Sequence, residues 1–159
     1  MITAEIQKAL NQQINDDYCS WYFYRSAAAH CREVKLHGFS KWLRRRSENK
    51  LRQADRLSDF VLERGGHVEA IPINSANGHW DSPLGILDAA LERERRLGHS
   101  VARLMDLSMR QGDHAAHDFL ERVVSDQVEA EAKVETVRDR LKMVADAPAG
   151  LFMVDRDLA

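Results

Sequence analysis

Apolar residues recur every three or four positions through most of this chain, which is the spacing of helices that bury one face. The first helix is predicted to begin after Thr3, a good capping residue, and to continue to about Glu33, with a break near Gly38. The second covers about Phe39 to Arg64 and stops at the glycine pair that begins at Gly65.

A stretch without helical period follows, from Gly65 to Asp81. Fully extended, it reaches roughly 55 Å, more than the roughly 39 Å length of the second helix. The second and third helices can therefore lie parallel, which a short connection does not allow.

Two further long helices and a short terminal one complete the pattern. Ser82 with Pro83 is a strong helix start, and the third helix stops at Gly112. Asp113 can cap the fourth, whose stripe continues to Val144, and a short amphipathic piece covers Leu151 to Leu158. The pattern predicts an all-α four-helix bundle with a long crossover and a short fifth helix, in a single domain spanning residues 1–159.

Composition narrows the class of protein. The 159 residues are 44% hydrophobic and 30% charged, as in an ordinary globular protein. A formal net charge of −2 gives no electrostatic reason to expect nucleic acid as a partner. No apolar run approaches the roughly 20 residues of a membrane span, and the N-terminus lacks the features of a signal peptide. With only two cysteines, Cys19 and Cys31, a disulfide framework is not expected. Cytoplasmic residence is the expectation.

Each inward stripe is interrupted by polar residues near its middle, and in a bundle with a crossover these midpoints fall at one level. The interrupting residues are Asp17, Lys50, Gln53, Glu94 and Gln127. Buried polar groups are costly unless they have hydrogen-bonding, ionic or metal partners, so this layer is the candidate functional site. One interpretation is a di-iron site, which takes single glutamates from two helices and a Glu-x-x-His pair from each of the other two.

The ligand set for two irons is incomplete. The first Glu-x-x-His position holds Lys50 and Gln53, and the second holds Gln127 and Ala130. A protonated lysine has no lone pair to offer a cation, and alanine has no donor atom. The residues therefore predict a centre that has lost its ability to hold two irons.

The whole chain resembles a ferritin, with the resemblance covering all five helical segments. It is carried by the segments LNQQIN (10–15), DFLE (118–121), VSDQ (124–127) and GLFMVD (150–155), and by Asp17, Tyr24 and Glu94. In ferritins the positions matching Asp17, Lys50, Gln53 and Glu94 hold the ferroxidase irons, with Gln127 beside them and a further ligand at Ala130 where one is used.

The departures resemble the light chain of animal ferritins, which also carries a lysine at the position of Lys50. The resemblance implies that the ammonium group stands in the metal's place and bridges Asp17 and Glu94, with Gln53 and Gln127 completing the hydrogen bonds. It also implies an inner-surface iron site from the positions of Asn49, Asp126 and Glu129, of which Asn49 is an amide here.

Assembly and iron entry are implied by the same resemblance. It implies a twenty-four-subunit shell whose three-fold channels carry Asp118 and Glu121, with His114 and His117 as further candidates for iron contact. The last helix would line the four-fold axes. Bacterioferritins bind haem through a methionine of the second helix, and no methionine occurs from residue 39 to 64, so no haem is expected.

Three functions remain open from the sequence. The leading hypothesis is a shell subunit that stores iron as cargo and whose own ferroxidase centre is disabled. The second is a ferroxidase that works with fewer ligands, using Asp17, Glu94, Gln127, Asp126 and Glu129. The third is a non-catalytic structural partner that assembles with a catalytic ferritin subunit in a mixed shell. No nucleic acid or membrane partner is expected in any of the three.

Overall fold

A computed structural model describes residues 1–74, 78–144 and 146–159 of the chain. Throughout these ranges the regular elements are five helices, which confirms the predicted all-α bundle. They are α1 (Ala4–Glu33), α2 (His37–Glu63), α3 (Pro83–Arg110), α4 (His114–Val144) and α5 (Pro148–Leu158). The last helix begins three residues before the predicted Leu151, because Pro148 occupies a first-turn position where its missing N–H costs nothing.

The predicted caps hold three helix starts in place. The Thr3 hydroxyl accepts a hydrogen bond from the Ile6 N–H at 3.3 Å. Ser82 does the same for Gly85 at 3.0 Å, and Asp113 Oδ1 accepts from Ala116 N–H at 3.0 Å. Such caps satisfy backbone donors that the first turn leaves unpaired.

The break between the first two helices, predicted near Gly38, lies slightly earlier in the chain, at residues 34–36. The chain turns at Lys35, whose φ of 68° lies in the left-handed region, and Leu36 N–H donates to Cys31 O at 2.8 Å to close α1. Glycine is the usual residue at such a turn, so a lysine there left the sequence without its normal signal.

Gly38 lies inside α2 because α5 packs directly against it. A Cβ built on Gly38 would lie 1.6 Å from the backbone oxygen of Asp155. At that contact Asp155 Oδ1 accepts a hydrogen bond from Phe39 N–H at 2.8 Å. A residue of α5 thus caps the start of α2, where Leu36 provides no side-chain cap.

An ion pair at one end of the bundle shows that α2 and α3 are parallel. Arg64, just after α2, donates to both carboxylate oxygens of Asp113, just after α3, at 3.0 and 3.1 Å. The two helices therefore end at the same end of the bundle, and the crossover between them must return along its full length.

The crossover is held along α1 by amide side chains. Asn11 donates to His67 O at 2.8 Å and accepts from Glu69 N–H at 2.8 Å. Asn15 Nδ2 donates to Pro72 O at 3.0 Å. Further on, Trp80 packs edge-to-face on the Phe23 ring at 5.1 Å. Positions 75–77 of the predicted crossover lie outside the described residues.

The buried apolar residues form two clusters, one toward each end of the bundle. One includes Phe23, Phe39, Leu87 and Val137. The other includes Ile6, Leu57, Val101 and Leu120. Along each long helix the stripe passes from one cluster to the other at its buried polar residue, so the polar layer lies between two apolar halves.

Candidate functional site

Four side chains, one from each long helix, meet between the two apolar clusters as predicted. Asp17, Lys50, Glu94 and Gln127 are all buried, with exposed fractions of 1%, 5%, 0% and 7%. Each lies near the middle of its helix, so the pairing of α1 with α2 and of α3 with α4 brings them to one level.

Lys50 and Glu94 form the central ion pair of this layer. Lys50 Nζ lies 2.6 Å from Glu94 Oε2 and donates to Gln127 Oε1 at 3.1 Å. The Gln127 amide in turn donates to Glu94 Oε2 at 2.7 Å and to the Glu94 backbone oxygen at 2.9 Å. Both ends of the Gln127 amide are therefore engaged, and a closed triangle of hydrogen bonds links α2, α3 and α4.

Tyr24 belongs to the same network, although from the sequence it had a place only in the family resemblance and no role in the polar layer. Its hydroxyl donates to Glu94 Oε1 at 2.6 Å. Burial, and then the neighbouring Glu94 charge, raise the pKa of Tyr24 well above its usual value, so the hydroxyl keeps its proton. The signal available beforehand was its spacing from Asp17: seven residues later, on the same face of α1.

Asp17 is the exception in the layer. Within the described residues, neither of its carboxylate oxygens has a hydrogen-bond partner, and both are buried. Burial raises the pKa of Asp17 to about 7, against a smaller lowering by the Lys50 charge. Near neutral pH this side chain is thus shared between its protonated and ionised forms.

Lys50 was expected to bridge Asp17 and Glu94, and the Asp17 half of that prediction was wrong. The ammonium group pairs with Glu94, but no ion pair joins it to Asp17 in the described part of the chain. Charge balance explains the difference: one ammonium offsets one carboxylate, and burial shifts the second carboxylate, that of Asp17, toward its protonated form.

Gln53 does not complete the network either. Its oxygen accepts from Arg56 at 3.3 Å, and its buried Nε2 has no partner among the described residues. Gln53 lies one turn beyond Lys50 on α2, toward the arginine side chain rather than toward Glu94. Ala130, on α4, contributes no donor atom.

A cavity of about 280 Å³ opens between α2 and α4 above the ion pair. Its charged lining has more cations than carboxylates. The cations are Arg46, Lys50, Arg52, Arg56 and Lys133, and the carboxylates are Glu94, Asp126 and Glu129.

The carboxylates expected at an inner-surface iron site line this cavity, and each is already paired. Asp126 Oδ2 lies 2.7 Å from Arg56 Nη1. Glu129 pairs with Lys133 one turn further along α4, and Asn49 accepts a hydrogen bond from Arg52. The structure thus brings the three positions together around one cavity, but with cations among them.

The four candidate channel residues lie in the first turns of α4. His114, Asp118 and Glu121 are exposed and His117 is half-buried. His117 Nδ1 lies 4.0 Å from Glu121 Oε1. Across residues 1–74, 78–144 and 146–159 of one chain, no three His, Cys, Asp or Glu side chains are grouped so as to hold a metal ion.

None of the helices described combines the length and the apolar character needed to cross a bilayer.

Comparison with known proteins identifies the family. Residues 7–144 match the ferritin model, described as a ferritin-like domain. The chain is 30% identical over 158 residues to a bacterial non-heme ferritin of Bacteroides fragilis, covering 99% of this chain and 98% of that protein. A bacterial non-heme ferritin of Staphylococcus saprophyticus is 27% identical over 159 residues, which is 100% of this chain and 95% of the relative.

Solved structures agree with the family match. An open pore ferritin from the archaeon Archaeoglobus fulgidus superposes with a TM-score of 0.97 at 32% identity, covering 99% of this chain and 98% of that one. An engineered closed form of the Archaeoglobus fulgidus ferritin superposes with a TM-score of 0.96 at 33% identity, covering 99% and 96% of the two chains. Together with the four-helix core and the polar layer at its middle, these matches establish that the chain belongs to the ferritin family.

Proposed function

We propose that this chain is an iron-storing ferritin shell subunit in which a lysine ammonium group replaces the metal of the ferroxidase centre. The observation that carries the proposal is the 2.6 Å contact between Lys50 Nζ and Glu94 Oε2. A ferroxidase centre would need that carboxylate as an iron ligand.

Electrostatics opposes iron at this position. An Fe²⁺ ion bound to Glu94 would lie close to the ammonium charge in a buried site, where like charges repel more strongly than in water. The ammonium group itself cannot act as a ligand while protonated. Displacing it would leave a charged lysine side chain buried without its partner.

The remaining donors do not compensate. Gln127 uses both ends of its amide within the network, and Ala130 has no donor atom. Asp17 is the one acid of the layer with free oxygens, and its raised pKa of about 7 means that a metal must compete with a proton there.

Storage would then rest on the shell. We propose that Asp118 and Glu121, with His114 and His117, line entry channels for Fe²⁺, a cation that favours oxygen ligands. Iron would be oxidised slowly, or by another subunit, and would mineralise on the inner wall. Asp126 and Glu129 would contribute weakly to a metal site, because Arg56 and Lys133 already balance their charges.

Assembly into a twenty-four-subunit shell is part of the proposal. Phe152 and Met153 on α5 are 66% and 53% exposed in the single chain, which favours burial of α5 against neighbouring copies. Native mass spectrometry of the purified protein should give about twenty-four times the 18.2 kDa mass of the chain. A monomer or dimer at micromolar concentration would contradict this assembly.

The disabled centre is tested by mixing iron-free protein with Fe²⁺ in air and following oxygen uptake. We expect no rapid phase. A fast phase that saturates at about two irons per chain, the stoichiometry of a di-iron site, would refute the proposal.

Restoring the ligands provides the complementary test. Lys50→Glu with Gln53→His rebuilds a Glu-x-x-His pair on α2 and should introduce a rapid phase. Lys142→Glu is the matched control, because it makes the same charge change at an exposed lysine of α4 that lies outside the cavity and supplies no ligand to the layer. Equal rates in both variants would mean that general acidity, not the di-iron geometry, controls oxidation.

A ferroxidase with fewer ligands is the second candidate, and the unpartnered oxygens of Asp17 favour it. Anomalous diffraction from an iron-soaked crystal distinguishes the two functions. Iron density between Asp17 and Glu94 would support the enzyme and contradict the proposed disabled centre.

A mixed shell would supply the missing oxidation step, since an inert centre needs a catalytic chain nearby. Native mass spectrometry of the shell isolated from its own cells tests this composition. A single chain mass would indicate a homo-oligomer, and a second ferritin chain would indicate a mixed shell.

A further inference from the structure

We propose that a second cavity, between α1 and α3, binds a phosphate-type oxyanion, either free phosphate or the phosphate group of a small organic molecule. The cavity measures about 430 Å³ and is separate from the one above Lys50. Three arginines of α3, namely Arg93, Arg96 and Arg103, line it together with Ser20 of α1. The proposal does not depend on the state of the ferroxidase centre.

The arginines of this cavity lack acidic partners. In the part of the chain that the structure describes, none of their guanidinium groups lies within 4.0 Å of a carboxylate oxygen. Neighbouring arginines behave differently: Arg95 pairs with Glu135 at 2.9 Å. The only carboxylate in the cavity lining is Asp16, and it accepts a hydrogen bond from Gln12 at 2.9 Å. The cavity therefore carries an uncompensated positive charge.

Two buried donors lie in the same lining without a partner among the described residues. Ser20 is fully buried, and its hydroxyl makes no hydrogen bond. Arg93 Nε is likewise buried and unpaired. A buried polar atom without a partner costs free energy, and an acceptor in the cavity would recover that cost.

Arg93 is held in place before any ligand arrives. Its guanidinium carbon lies 4.7 Å from the centroid of the Phe23 ring, a cation–π arrangement that limits its movement. Burial, and then the charge of Arg96, lower the pKa of Arg93. Two guanidinium groups that repel each other would both gain from an anion placed between them.

The donors indicate the class of anion. Guanidinium groups present planar pairs of N–H donors that match phosphate oxygens, and a hydroxyl adds a further donor. Metal ions are a poor match, because Asp16, Cys19 and His99 of this lining do not form a metal-binding group. A volume of about 430 Å³ leaves room for an organic group attached to the phosphate.

The test is isothermal titration calorimetry on the iron-free, assembled protein in chloride buffer at constant ionic strength. One arm uses inorganic phosphate and the other uses glucose 6-phosphate as a phosphate monoester. We expect saturable binding at about one site per chain in at least one arm, and the tighter arm identifies whether free or esterified phosphate is preferred.

The variants assign the binding to this cavity. Arg96→Gln with Arg103→Gln should weaken binding at least tenfold, because it removes two of the three guanidinium groups that can donate charge-assisted hydrogen bonds to the anion. Ser20→Ala, which removes only a buried hydroxyl, should weaken it several-fold and keeps the test valid if the double variant fails to assemble. Arg110→Gln is the matched control, because Arg110 is an exposed arginine of α3 outside the cavity.

Three outcomes would overturn the proposal. They are no saturation in either arm, unchanged affinity in the Ser20 and double-arginine variants, and an equal loss in the Arg110 control. The last result would indicate a general attraction between anions and surface arginines.

Discussion

Replacing Lys50 by methionine tests the central ion pair most directly. Methionine keeps most of the side-chain volume and removes the charge, so Glu94 remains fully buried without its cation. At 2.6 Å and an effective dielectric constant of about 20, the lost attraction is roughly 6 kcal/mol before desolvation is considered. Breaking one side of a buried pair typically costs about 3–5 kcal/mol, and we expect Lys50→Met to lose that much free energy of unfolding.

A double-mutant cycle separates the ion pair from simple packing effects. Glu94→Gln alone leaves the ammonium group buried and should be similarly destabilising. Combining Lys50→Met with Glu94→Gln removes both charges, so its loss should be well below the sum of the two single losses.

The assay is calorimetric melting of the iron-free shell at pH 7 with a chelator present. Lys133→Met is the matched control, because it breaks the exposed pair with Glu129, and such surface pairs contribute no more than about 1 kcal/mol. If Lys50→Met had the same melting temperature as that control, the buried pair would not stabilise the bundle and the reasoning would be refuted.

Three further perturbations follow from the contacts described above. The pKa of Asp17 rises from 3.8 unfolded to about 7 folded, so the wild-type protein loses up to about 4 kcal/mol of stability as pH rises through that window. The urea midpoint of Asp17→Asn should therefore increase relative to that of the wild type between pH 4 and pH 8, and equal pH profiles would contradict the shift. Lys35→Gly should raise the melting temperature, because it relieves about 1 kcal/mol of left-handed backbone strain. A decrease would show that contacts of the Lys35 side chain stabilise the turn more than its φ destabilises it. Asn11→Ala removes two hydrogen bonds to the crossover and should cost about 1–3 kcal/mol and speed proteolysis of the Gly65–Asp81 stretch, whereas unchanged cleavage would mean that other contacts hold it.

Local signals in the sequence were enough to determine most of the helix boundaries and the level of the polar layer. Capping by Thr3 and Ser82 and the glycine stop at Gly65 act within a few residues, so their physics is complete in the sequence itself. The burial of Lys50 and Glu94 followed from helical periodicity, because a residue on the inward stripe has only one direction in which to point.

Tertiary structure decided which groups meet across the bundle. Periodicity placed Asp17 and Glu94 at one level, but only packing determined that Lys50 pairs with Glu94 and leaves Asp17 to bind a proton. In the same way, the contact of Gly38 with Asp155 depends on where α5 docks. Helix patterns specify a face, whereas hydrogen bonds require positions accurate to a few tenths of an ångström, and those positions arise only when distant segments pack together.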